Sequence, residues 1–326
     1  MTDAQDASRP DAEVPIDRRA ASQAAGAGGI ADAAPAEAGP PTAEERQASL
    51  WSDAWYELRR NPLFIISALL IVVFVTMALF PQLFTTRSPF TADLARSLER
   101  PSTEHWFGFD IQGRDYYTRV IYGARASIAV GMLVTISAAI IAVTFGSLAG
   151  YYGGWIDAVI ARITDVFFAL PTILGGLVLL TVLPTRGVPQ VALVLALLGW
   201  PTMLRLMRSS VLSAASSDYV QAARALGARD LRILRRHILP NAITPVLVYG
   251  TIFVGIIIVA EAALTFLGVG LQTPAVSWGL MISNAQQRLL QAPHLLLFPG
   301  AFLSVAVFSF ILMGDALRDA LDPKLR

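Results

Sequence analysis

Long apolar runs, each closed by a short polar segment rich in arginine, proline or glycine, begin near residue 63 and recur almost to the end of the chain. A helix needs about 20 mostly apolar residues to cross about 30 Å of hydrocarbon. Six segments meet or approach that length, at 63–80, 127–149, 164–183, 188–206, 242–260 and 295–317. The third and fourth are separated only by the turn PTRGVPQ, too short to hold a domain, so they are expected to form a hairpin through the bilayer. The predicted fold class is an all-α integral membrane protein with six transmembrane helices.

Two local patterns refine this layout. Ala138, Ala142, Gly146 and Gly150 recur every fourth residue in the second run and form one small-residue stripe. Lipid gives helices no hydrophobic reason to associate, so such a stripe, which lets backbones approach closely, marks a helix buried in a bundle. In the third run Pro171, followed by Gly175 and Gly176, predicts a kink. Ahead of the first run, residues 1–47 hold almost no large apolar side chain and are expected to be a disordered tail. The first apolar run lies too far from the start to be a secretory signal, so it is expected to remain as an anchor. Residues 48–61 place Trp51, Trp55 and Leu58 on one helical stripe beside Arg59 and Arg60, the pattern of a short helix lying in the headgroup layer. The membrane domain is assigned to 62–326.

Composition agrees with a bilayer protein. Hydrophobic residues make up 55% and charged residues 15% of the chain, and the mean hydropathy is +0.56, too apolar for one soluble core. There is no cysteine, which removes disulfides, thiolate metal sites and cysteine nucleophiles, and His105, His237 and His294 lack ligand spacing. With the N-terminus inside, alternate loops carry 17 lysines and arginines on the cytoplasmic side against 8 on the other. Positive residues stay inside, so both termini are predicted cytoplasmic.

Seven of the inside arginines lie between Arg205 and Arg236, around the stretch YVQAARALGARDLRILRRHILPN. Ser216, Ser217 and Asp218 are candidate N-caps, with Gln221 three residues after Asp218 in capping-box spacing, for a short helix through Ala222, Ala223, Arg224, Ala225 and Leu226. Gly227 fits a position after the helix that needs positive φ. Asp230 then caps a second helix with Leu231, Leu234 and Ile238 on one stripe, closed before Pro240. The expectation is a helix, glycine turn and helix beneath the bilayer. Alanines 222 and 223 would leave a flat surface, ringed by arginines suited to carboxylates, for a groove on another protein.

Gln221-Ala222-Ala223, Gly227 and Leu239-Pro240 resemble the EAA loop of permease subunits in binding-protein-dependent ABC importers. That pattern runs Glu-Ala-Ala, three residues, Gly, nine residues, Ile, one residue, Leu-Pro. Gln221 departs from it by replacing the Glu, and His237 by replacing the Ile, with Ile238 one place later. The glutamine loses the carboxylate but keeps an acceptor, so the capping role survives where an ionic one does not. HWFGFDIQGRDYYTRVIYGARASI, AGYYGGWIDAVIARITDVFFALP, EAALTFLGVGLQTPAVSWG and GDALRDALDPKLR are similar to stretches of the C-type permease of the dipeptide, oligopeptide and nickel branch. The resemblance implies a type I importer bundle forming half of a translocation pathway. Its implied partners are a paralogous permease subunit, two ABC ATPase subunits or domains, and an extracytoplasmic substrate-binding protein. It makes the loop a coupling helix, with ATPase contact at Gln221, Ala222, Ala223, Arg224, Leu226, Gly227, Arg229, Leu239 and Pro240. No cofactor is expected on this chain; ATP and Mg would be bound by the partners, since no Gly-x4-Gly-Lys-Ser/Thr loop is present. Peptide is the expected cargo.

Other readings are weaker. Ala223, Gly227 and Ile233 have the spacing of a DNA-reading helix-turn-helix, but spans on both sides pin the loop under anionic headgroups, so nucleic acid is not an expected partner. A loop that is positive only to stay inside explains the charge but not the motif. A secondary transporter or channel working alone should show midplane charges and inverted repeats, and neither is visible. Arg162 and Asp165 are expected to pair at a helix end, and the Gly113-Arg114-Asp115 triplet to lie in a membrane-edge loop. Glu261 comes twenty residues after Asn241, a rise of about 30 Å, which places it at the outer interface as a solvated acid or at the border of an exit. The outer-gate candidates are Glu261 with Phe266, Gly268 and Gly270 of the re-entrant-looking TFLGVGLQTP.

Overall fold

A computed structural model describes residues 55–321; the expected tail at 1–47, Trp51 and residues 322–326 lie outside the described residues. In chain order the helices are α1 (Pro62–Leu79), α2 (Tyr116–Tyr152), α3 (Gly154–Phe168), α4 (Thr172–Val182), α5 (Val188–Ala215), α6 (Asp218–Ala225), α7 (Asp230–Ile233), α8 (Thr244–Phe266), α9 (Trp278–Ala285) and α10 (His294–Leu321). Among the described residues there is no strand, only an isolated β-bridge between Phe109 and Asp115. Five helices, α1, α2, α5, α8 and α10, are long and apolar enough to cross a membrane. The pair α3 and α4, bent by 82°, makes a sixth if it counts as one span.

Local chemistry sets the ends of these helices, and four run past the apolar segments: α5 to Ala215 and α10 to Leu321, besides α2 and α8. Asn61 caps α1, its side chain accepting from the N–H of Leu63 at 2.9 Å, with Pro62 in the first turn. Helix α2 starts at Tyr116 rather than 127 because Asp115 accepts from the Thr118 N–H at 2.9 Å, and because its first turns bury Tyr116, Val120 and Ile121 in protein instead of lipid. Those turns carry arginines that a hydropathy window rejects, yet each is satisfied. Arg125 donates to the carbonyls of Ala78 and Leu79 at the C-terminus of α1, where a cation is favoured. Arg119 is buried, donates to the Pro89 carbonyl and pairs with Asp110. Helix α8 likewise runs on to Phe266 instead of stopping at 260.

The kink expected in the third span is an 82° elbow between two helices. Helix α3 starts at Gly154, ten residues ahead of the predicted span, and the chain breaks at residues 169–171 as the Pro171 signal predicts. Helix α4 has 11 residues, about 16 Å of rise, too short to cross alone. The turn into α5 is closed by Gln190, whose side chain accepts from the Gly187 N–H.

One core cluster joins α2, α5 and α8, through residues such as Val134, Leu195, Met203, Ile257 and Leu264. A second packs α1 and the start of α2 against α9 and α10 around the fully buried Trp278. Residues 55–58 form a helical turn whose Leu58 is buried against Phe64, Leu317 and Ala320, while Trp55 stays half exposed under the Arg59 guanidinium.

Candidate functional site

The segment between α5 and α8 folds as a handle, built differently from its sequence expectation at several points. Helix α6 is capped from Ser217, with no side-chain cap bond, so the anticipated Asp218–Gln221 box does not form and Asp218 lies inside the first turn. An acid there still complements the helix N-terminus. At the other end Gly227 takes φ +77°; its N–H donates to the Arg224 carbonyl and that of Ala228 to the Ala223 carbonyl. That pair of bonds is the Schellman ending that favours glycine. Beyond it, α7 does not close before Pro240. The chain continues through a wide turn at Leu234–Ile238 into Leu239–Ala242. Proline lacks the N–H of a regular helical bond, and a wide turn absorbs that loss without breaking the helix.

The wide turn also resets which side chains face inward. With five residues per hydrogen-bonded turn, Ile233 and Ile238 stack on one side and both are fully buried with Leu234. Leu231, expected on that stripe, is 59% exposed. Ala223 faces the chain's own core beside Val220, so only Ala222 of the two alanines is on the outer surface. Gln221, Ala222, Arg224, Ala225, Leu226 and Arg229 are all exposed, and Leu226, at 88%, stands clear of the protein at the turn. Leu239 is half-buried against the core and Pro240 exposed.

Polar contacts tie the handle to the bundle. Tyr151, at the end of α2, donates its hydroxyl to Asp230 at 2.7 Å and lies 5.6 Å from the Arg224 guanidinium. Asp230 does not cap the second helix as expected: Arg229 holds the cap position without a side-chain bond, and Asp230 lies in the first turn, held by the tyrosine. Ser216 and Ser217 alone separate α5 from α6. Along α2, Ala138, Ala142, Gly146 and Gly150 are buried, the last two against α5. A Cβ on Gly146 would meet the Leu204 carbonyl oxygen at 2.9 Å, and one on Gly150 the Arg208 carbonyl oxygen at 2.8 Å, closer than a methyl group allows.

On the same side of the bundle, α3 carries Asp157 and Asp165. Arg162 reaches Asp165 at 3.5 Å, as its spacing suggests, but the shorter partner is Arg205 of α5 at 2.7 Å. Arg208 of α5 grips Asp157 with two parallel bonds of 2.5 and 2.6 Å. Above these pairs a cavity of about 540 Å³ opens between the α3–α4 elbow, α5 and α8, lined by Phe168, Thr172, Thr202, Tyr249, Phe253 and Ala263 among others.

At the far end of the bundle Glu261 is not a solvated acid. It is fully buried and accepts from Thr265 at 2.9 Å, Ser277 at 3.1 Å and Ser127 at 3.4 Å. Each hydroxyl in turn accepts a backbone N–H, from Leu271, Leu280 and Trp278 respectively. Their protons are therefore directed at the carboxylate. Helix rise alone does not reveal that residues 267–277 fold back over the end of α8. Gly268 makes that reversal at φ +83°, Gly270 lies hard against Thr265, and Phe266 stays partly exposed. Asp115 anchors the neighbouring loop. Burial pushes its carboxyl up, but hydrogen bonds from His105, Thr118 and Arg87 outweigh this and leave it below the ordinary carboxylate value. The Gly113-Arg114-Asp115 triplet thus serves a turn and a helix cap.

Comparison with known proteins places these features in context. Residues 142–326 match the family described as binding-protein-dependent transport system inner membrane component, and residues 49–101 match the N-terminal transmembrane domain of oligopeptide transport permease C. The chain is 40% identical over 287 residues to the dipeptide transport system permease protein of Alkalihalophilus pseudofirmus, covering 88% of this chain and 94% of that protein. It is 39% identical over 295 residues to the oligopeptide transport system permease protein of Bacillus subtilis, covering 90% and 96%. With the glutathione transport system permease protein of Pectobacterium atrosepticum it shares 36% over 280 residues, covering 85% and 92%.

Proposed function

The chain belongs to the family of binding-protein-dependent transport system inner membrane components, and on that footing we propose that it is the permease subunit of an ATP-driven peptide importer whose engine grips the α6–α7 handle. It is a multi-pass inner membrane protein, and peptides are the cargo class common to the dipeptide, oligopeptide and glutathione relatives. The observation that carries the reading is the handle itself. A rigid turn, cored by Val220, Ala223, Ile233 and Ile238, projects Leu226 and Ala222 outward while its ends continue into α5 and α8. A leucine 88% exposed at the tip of a basic loop offers an aliphatic anchor for a pocket on a partner.

In this mechanism both termini and the handle face the cytoplasm, where two ATPase subunits bind ATP and Mg2+. Closure of the ATPases displaces the handle, and α5 and α8 carry the displacement to the far end, where the turn held by Glu261 borders the outer opening. A paralogous permease completes the pathway and an extracytoplasmic binding protein delivers the peptide. This chain supplies binding surfaces and levers rather than reacting groups.

The test is a single exposed side chain. Leu226→Asp removes an apolar anchor without touching the core, and the co-purified ATPase should fall by tenfold or more, about the loss of one interface hot spot. Labelled-peptide uptake should fall with it. Normal ATPase retention and normal uptake in that variant would remove the handle from the coupling path.

A further inference from the structure

We propose that Arg205 and Arg208 of α5, with Asp165 and Asp157 of α3, form a two-point clamp that makes the α3–α4 elbow move with the handle and so reshapes the cavity between elbow, α5 and α8. This rests on the handle being the point where force enters.

Helix α3 is poorly held by apolar packing. Of its 15 residues only Thr164 is fully enclosed, and Trp155, Val159, Ile163 and Val166 are exposed. Ile160 and Phe167 are half-buried against the core that includes α5, and the other ties to α5 are polar or aromatic. They are the Arg208–Asp157 pair, the Arg205–Asp165 pair, Arg205 over the Phe168 ring at 4.0 Å and Phe167 against Trp200 at 5.4 Å. The Arg208 fork meets both carboxylate oxygens, a geometry that fixes orientation as well as distance. The two aspartates lie eight residues apart and therefore on the same face of α3, so the clamp resists both sliding and rotation.

Each end of this clamp leads to something. Arg208 is in the last two turns of α5, which reaches α6 through Ser216 and Ser217. Phe168, under Arg205, lies at the 82° bend, and with Thr172 just beyond the break it walls the 540 Å³ cavity. A displacement of the handle therefore reaches the cavity wall by two routes, through α5 directly and through the clamp to the elbow. Without the clamp, α5 would slide past a helix that buries few apolar side chains against it.

The experiment uses the assembled importer in proteoliposomes, with labelled peptide uptake and ATP hydrolysis measured together. Arg208→Gln and Asp157→Asn should each keep ATPase stimulation by the binding protein while uptake per ATP falls by about tenfold, the size of an ordinary coupling free energy. The exchange Arg208→Asp with Asp157→Arg should recover most of that ratio, which a purely structural defect of either residue would not do. An unchanged ratio in the single variants, or an exchange that assembles but stays uncoupled, overturns the clamp. If Arg208→Gln fails to assemble, Arg205→Gln, which alters a half-exposed pair, gives the same readout, and an unchanged ratio there overturns it too. Leu226→Asp run alongside separates the two ideas: uncoupling by Leu226→Asp but not by the clamp variants sinks only the clamp, whereas normal behaviour of Leu226→Asp sinks the handle.

Discussion

Gly227 shows how a single residue is legible to the degree that its constraint is local. Its spacing after a run of helix formers is enough to expect positive φ, and the observed value of +77° leaves nothing within 4 Å of an added Cβ. Any substitution there is therefore penalised by backbone conformation alone, at about 1–3 kcal/mol for a residue that resists the left-handed region. Gly227→Val should lose peptide uptake and ATPase stimulation, while Gly227→Asn, which tolerates that region, should retain most of both. Equal loss in the two variants would mean that the position acts through contact rather than conformation. Ala223 is the opposite case. Its identity fits a flat outer surface, yet it packs beside Val220 in the chain's own core. A carboxylate placed there would be buried without a partner and would unsettle this subunit before it reached any other.

At the scale of elements, α7 and the end of α8 depart from their sequence patterns for one reason: a chain that changes its turn or direction changes which residues face inward. The wide turn at Leu234–Ile238 moves the buried stripe from Leu231 to Ile233. The reversal after Phe266 encloses Glu261 and converts it into the acceptor of three hydroxyls. Glu261→Leu leaves those hydroxyls without their acceptor, at about 1 kcal/mol or more for each. The purified subunit should lose thermal stability accordingly. Glu261→Gln keeps a carbonyl facing Thr265 and Ser277 and should lose much less. If the leucine variant melts with the parent, the network does not hold the turn.

For the whole molecule, the proposed arrangement puts the handle at the cytoplasmic end and the Asp115 loop at the other, as the excess of arginine around the handle favours. The absence of cysteine makes this easy to read. Arg229→Cys, in the handle, should react with a membrane-impermeant thiol reagent only in inverted vesicles. Leu290→Cys, almost fully exposed between α9 and α10, should react only in intact spheroplasts. The reverse pattern would place the handle outside and separate it from any cytoplasmic ATPase.

The sequence alone determined the membrane class, the positions of five long spans, the proline break in the third run and the helix–glycine–helix plan of the handle. These follow from hydrophobic length and from single-residue backbone preferences, which are properties of contiguous stretches. Tertiary structure decided the rest. The arginine-bearing turns that extend α2 to Tyr116, the inward turn of Ala223, the burial of Glu261 and the pairing of Arg205 and Arg208 with α3 all depend on partners far away in the chain. A polar or charged side chain is costly in a bilayer only when unsatisfied, and whether a distant carbonyl, hydroxyl or carboxylate satisfies it is settled only when the helices pack.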